Sequence, residues 1–154
     1  MIAKKLLSSI SVSWLLMTLF VDIKAVPTVF RNVSSRLEAG RVGMDIFSSF
    51  NKIELVFAFF ILILFIRFIK IKKMWFVVIP LIILPIAYNF YLTPEISEIS
   101  LKLGLALQEG LDPSKLEASH EVFHSLYTKL DGIKILLLFV LSLFSFINTE
   151  KTVI

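Results

Sequence analysis

Four strongly apolar stretches, residues 6–21, 55–68, 74–92 and 135–147, are separated by polar segments and constrain this chain more than any other feature. A soluble domain of 154 residues has too little interior to hide that much apolar surface, whereas a bilayer has room for it. Hydrophobic residues make up 57% of the chain and charged residues 18%, against roughly half and a quarter in ordinary globular domains. The composition therefore predicts an all-α integral membrane protein of one domain, spanning residues 1–154.

A spanning helix needs roughly 20 mainly apolar residues. The second stretch reaches that length from Lys52 to Lys70 if Arg67 snorkels, and the fourth from Leu130 to Asn148 if Lys134 does. Ser8, Ser9, Ser11 and Ser13 in the first stretch can bond back to helix carbonyls, and Pro80 and Pro85 in the third predict a bend. Lys4 and Lys5 before an apolar run also resemble a signal peptide. The cleavage site would be Ile23-Lys24-Ala25, whose bulky Ile23 disfavours cutting.

Arg67, Lys70, Lys72 and Lys73 crowd the turn between spans two and three with no acidic residue among them. The positive-inside rule predicts that this turn is cytoplasmic, with both termini, including Lys151, on the same side of a cell inner membrane. The outward segments show apolar spacings of three and four: Val26, Val29, Phe30, Val33 and Leu37, then Val42, Ile46, Phe47, Phe50 and Ile53. Gly40 is a natural stop between two helices; Gly110 and Asp112-Pro113 give a second stop and start. The expected architecture is a four-helix bundle with helices near 4–38, 41–71, 74–109 and 113–149. The last would be about 55 Å long, so the bundle would project beyond the roughly 30 Å hydrocarbon core on the non-cytoplasmic side.

Two residue sets carry candidate chemistry. Glu117, His120, Glu121 and His124 fall on one side of a helix as two overlapping Glu-x-x-His pairs, a plausible ligand set for a transition metal ion. The competing reading is a solvated helix face, since the stripe lies away from Leu116, Phe123 and Leu130. Asp22, Lys24, Asp45, Lys52 and Glu54 would form a polar vestibule near the outer membrane edge. Asp22 would pair with Lys52 there, and Glu54 with Lys52 or Lys24; the competing reading is interfacial ion pairs. Arg31, Arg36 and Arg41 suit lipid phosphates or an anionic partner, Trp14 suits packing, and Trp75, Tyr88 and Tyr91 suit interface anchoring.

There is no cysteine, nucleophile elbow, Walker loop, His-Glu-x-x-His or Rossmann fingerprint. The basic residues, which set a net charge of +4, sit at membrane edges and not on one nucleic-acid-binding face. Ala25-Val26-Pro27-x-x-Phe30, Ala39-Gly40, Tyr91-x-x-Pro94 and His124 together resemble the transmembrane-protein-205-like membrane domain, a domain of unknown function. The resemblance covers about residues 6–143 and implies a four-helix membrane protein with those residues as motif positions and no assigned catalysis. Tyr127-Thr128-Lys129 departs from the small and amide residues more usual after the histidine.

The sequence thus points to a non-enzymatic bundle in membrane lipid that handles a small solute or metal ion and needs no cofactor or nucleic acid. Two alternatives stand beside it: an accessory subunit docking on another membrane complex or a second copy of itself, and a metal-dependent membrane enzyme.

Overall fold

In the computed structural model the described residues are 2–69 and 71–150, without the side chains of Arg36 and residues 148–150. Lys70, Lys151 and the contacts of Arg36, on which the expected topology and lipid contacts partly drew, lie outside the described residues. The order is α1 (Ile2–Phe20), a π turn (Val21–Ala25), α2 (Val26–Asn32), α3 (Arg36–Arg67), a 3₁₀ turn (Lys72–Met74), α4 (Trp75–Ala87), a second π turn (Tyr88–Leu92), α5 (Thr93–Gln108) and α6 (Ser114–Glu150). The π turns join α1 to α2 and α4 to α5 without a break, so the elements make four helical rods. The first rod packs against the second and fourth, and the third closes the ring by packing between them.

Each rod contains a stretch long and apolar enough to cross a membrane, and the chain is a multi-pass membrane protein. Its burial pattern agrees with a lipid solvent. Phe59, Phe60 and Ile66 on α3, Phe76 and Ile83 on α4, and Leu136, Phe139 and Leu143 on α6 point away from the bundle. Ser11, Thr18, Asn51, Glu54, Asp131, Lys134, Ser142 and Ser145 are buried inside it. Hydroxyls that would otherwise be stranded bond back to their own helix: Ser11 donates to the Ser8 carbonyl and Ser145 to those of Leu141 and Ser142.

The two π turns share one feature, a proline just beyond each. Pro27 and Pro94 carry no N–H, and each ring crowds the carbonyl four residues back, which opens the turn. The residue just before each proline then reaches one position further: Val26 N–H bonds Val21 O, and Thr93 N–H bonds Tyr88 O. The helix between Trp75 and Ala87, by contrast, carries Pro80 and Pro85 inside it.

The first hairpin turns earlier than Gly40. The chain leaves helical geometry at Val33–Ser35, and Ser35 caps α3 by accepting the Glu38 N–H at 3.3 Å. This is the Ser-x-x-Glu pattern of a capping box, and a good N-cap is worth about 1 kcal/mol. A mid-helix glycine costs a similar amount relative to alanine, so Gly40 rides inside α3. The expected boundaries at 38 and 41 therefore move to Asn32 and Arg36. The second hairpin falls where expected. Gly110 adopts φ 68°, Leu111 N–H bonds the Ala106 carbonyl, and Asp112 accepts from the backbone and side chain of Ser114. Those bonds hold the Asp112 carboxyl below its ordinary range.

Candidate functional site: a buried charge cluster

The bundle interior brings together charges from three rods. On α6, Tyr127, Asp131, Lys134, Leu138 and Leu141 recur at three- and four-residue steps, so all five face inward. On α1 the inward stripe is Leu7, Ser11, Trp14 and Thr18, with Val21 continuing it; on α3 it includes Phe50, Glu54, Ala58 and Ile61. Where these stripes meet, Lys134 Nζ lies 2.6 Å from Glu54 Oε1 and also pairs with Asp131. Trp14 Nε1 donates to the same Glu54 oxygen at 2.8 Å, and Thr18 Oγ1 makes a longer contact at 3.5 Å. The ammonium also sits 5.0 Å from the Tyr88 ring centroid and 5.7 Å from that of Phe50, within cation–π range. Asp22, in the first π turn, brings its carboxyl within hydrogen-bonding range of Asp131.

Glu54 Oε1 receives the donors from Trp14, Thr18 and Lys134, while Glu54 Oε2 and the Tyr88 hydroxyl have no partner among the described residues, although both residues are fully buried. Buried polar atoms without a partner are uncommon, so these two single out the cluster within the bundle. Glu54 stands thirteen residues before Arg67, or about 20 Å along the helix, deep within a core about 30 Å thick.

Another polar chain adjoins the cluster. Tyr127 stacks on Tyr88 with centroids 4.6 Å apart and donates its hydroxyl to Asn51 Oδ1 at 3.2 Å; Asn51 Nδ2 in turn donates to Thr93 Oγ1 at 2.7 Å. Thr93 lines a small polar pocket of about 180 Å³ together with Asp45, Ser48, Asn89 and Ser97.

The residues expected to form a vestibule are divided by the structure, and the expected pairs do not form among the described residues. Asp22 and Glu54 belong to the cluster; Lys24 and Lys52 are exposed and form no ion pair among the described residues. The reason is angular: Lys52 is two residues from Glu54, and Lys24 two from Asp22, which puts each on the opposite side of its helix. Asp45 is exposed, has no ion pair with the cluster, and lines both the polar pocket and an apolar groove that includes Val21 and Phe50. Lys134 does not snorkel, Tyr88 is no interface anchor, and Trp14 is a hydrogen-bond donor to Glu54 as well as a packing residue. Tyr91 is exposed and meets Phe123 edge-on, and Trp75 meets Phe65 in the same way.

Glu117, Glu121 and His124 are exposed, and His120 and His124 stack with ring centroids 5.8 Å apart. Among the described residues no group of three histidine or carboxylate side chains is placed to hold a metal ion, so the expected metal set does not assemble. One helix supplies all four side chains, and two successive turns of a single helix do not wrap them around an ion.

Of the motif positions, Ala25 and Pro27 sit at the first π turn, Tyr91 and Pro94 at the second, and Phe30 lies against Gly43. Ala39 is buried and Gly40 lies mid-helix, while His124 contributes its carbonyl to Thr128. Arg31 and Arg41 are exposed. No family model, curated protein or solved structure matches this chain.

Proposed function

We propose that this is an inner-membrane protein whose buried cluster takes up and releases protons while the bundle handles a small ionic solute. The observation that carries the reading is a stoichiometry. Glu54 and Asp131 pair with the single ammonium of Lys134 and Asp22 lies beside Asp131, so the cluster holds two more acidic groups than basic ones. Uncompensated charge at that depth is costly, and intramembrane ionisable groups face pathways for ions or protons more often than they serve as props. No metal-ligating set forms among the described residues, which favours protons as the balancing species. Tyr88 and Tyr127, packed beside the cluster, are the further titratable groups that face it.

Infrared difference spectroscopy on the protein in lipid tests this directly. Acidification should build a protonated-carboxyl band that is lost or shifted in Glu54→Gln and Asp131→Asn. A wild-type spectrum without any titrating carboxyl would refute the proposal.

The orientation belongs to the same proposal. Arg67, Lys72 and Lys73 mark the cytoplasmic end, so the hairpins at 33–35 and 109–113 face outward and both termini face inward. The chain has no cysteine, so single introduced thiols report sidedness cleanly. A thiol at Glu121 should react with an impermeant reagent added to intact cells, and one at Lys73 should not. The resemblance to the transmembrane-protein-205-like domain fits the reading, because Pro27 and Pro94 create the two π turns beside the cluster.

A second reading, docking onto a membrane complex, is favoured by Leu101, Leu105, Leu107 and Val122. They are exposed on the part of the rods that extends past membrane length. Leu105→Lys with Val122→Lys would then release the partner, or a second copy, in native mass spectrometry.

A further inference from the structure

We infer that the polar pocket between α3 and the second π turn is a binding site for a small monovalent cation, with Asp45 as its counter-charge. The inference deepens the proposed function by naming the class of solute, and it stands on features outside the buried cluster.

The pocket holds about 180 Å³, enough for roughly six waters or a solute of a few heavy atoms. Asp45 supplies the one formal charge, and it forms no ion pair among the described residues. Ser48, Asn89 and Ser97 make no side-chain hydrogen bond among the described residues, so their oxygens remain available. Thr93 Oγ1 accepts one bond, from Asn51, and keeps acceptor capacity. Pro94, which also lines the pocket, offers no N–H to the carbonyls of the widened turn at Tyr88–Leu92. A set of oxygens with a single negative charge suits an ammonium group or an alkali ion.

Position agrees with chemistry. Asp45 stands nine residues beyond Glu54, about 13 Å further along the helix, and therefore about 33 Å from Arg67. That depth is the far edge of the hydrocarbon core, where an unpaired carboxylate can meet water. From Thr93 in the pocket lining, the Thr93–Asn51–Tyr127 chain leads to Tyr88 and Lys134, so a guest in the pocket is one polar relay away from the buried cluster. The amide of Asn51 is a poor proton carrier, so this relay couples the two sites by fixing the Tyr127 position and does not serve as a proton wire.

The test is thermal unfolding and calorimetric titration of the purified full chain in detergent. Methylammonium chloride and sodium chloride are each compared with tetramethylammonium chloride, which has the same charge but a bulky, fully methylated head. Stabilisation by methylammonium or sodium beyond the tetramethylammonium response supports the site, and the stronger of the two identifies the guest. Asp45→Asn should weaken that binding at least about tenfold, the usual cost of losing a charged partner. Thr93→Val should weaken it less. Asp45 is exposed, so its variant keeps the fold. Equal responses to all three salts, or undiminished binding in Asp45→Asn, overturn the inference. A titrating carboxyl band without cation binding would refute this site and leave the proton reading standing; cation binding without that band would do the reverse.

Discussion

The fourth rod, α6, carries two clusters of ionisable side chains that differ in almost everything except chemistry. Near its start, Glu117, His120, Glu121 and His124 occupy one flank and face mostly outward; further along, Asp131 and Lys134 are buried against Glu54 of another rod. The histidine group is denser in potential ligands and matches a recognisable metal-ligand spacing. Asp131 and Lys134, taken as sequence alone, resemble ordinary membrane-edge charge. The structure reverses their importance, because a site requires side chains converging from several elements and a single helix face cannot supply them. Spacing along one helix tells which residues share a side; only packing tells which sides meet.

Lys134→Met should produce the largest effect. It leaves Glu54 and Asp131 buried beside each other without a cation, and such a loss costs about 3–5 kcal/mol. Unfolding in detergent should show it, and the double change with Glu54→Gln should recover much of the loss. Next, Trp14→Phe keeps the ring but removes the Nε1 donor at 2.8 Å from Glu54, an expected cost of about 1.5–3 kcal/mol by the same measurement. Tyr127→Phe strips the hydroxyl from Asn51 and should cost about 1 kcal/mol. At the bottom of the scale, His120→Ala with His124→Ala should change stability by no more than about 0.5 kcal/mol. If the histidine pair proved as damaging as Lys134→Met, the contrast between the two clusters would collapse.

Much of the architecture is legible in the amino-acid order. The four apolar stretches correspond to the four rods, and the Gly110–Pro113 turn forms through the interactions its residues advertise. The first turn is harder to place, because Gly40 is the conspicuous breaker while the capping pair Ser35 and Glu38, three residues apart, is the quieter and stronger signal. The π turns are also readable in principle, since each lies just before a proline that follows a long helical run. The site is half legible. Asp22 and Glu54 stand out as charges at the wrong depth, but Lys134 is eighty residues from Glu54 in the chain, and nothing local distinguishes a buried lysine from a snorkelling one. One clue is available: Tyr127, Asp131, Lys134, Leu138 and Leu141 share a helix face, and an apolar-and-charged stripe of that kind faces protein more readily than lipid.

The central claim is that Lys134 is held inside the bundle by Glu54, and solid-state NMR on the protein in lipid bilayers tests it most directly. With lysine nitrogen and glutamate carboxyl carbon labelled, the account predicts a strong through-space correlation between Lys134 Nζ and the Glu54 carboxyl that disappears in Glu54→Gln. A Lys134 signal that correlates instead with lipid phosphate or bulk water would contradict it.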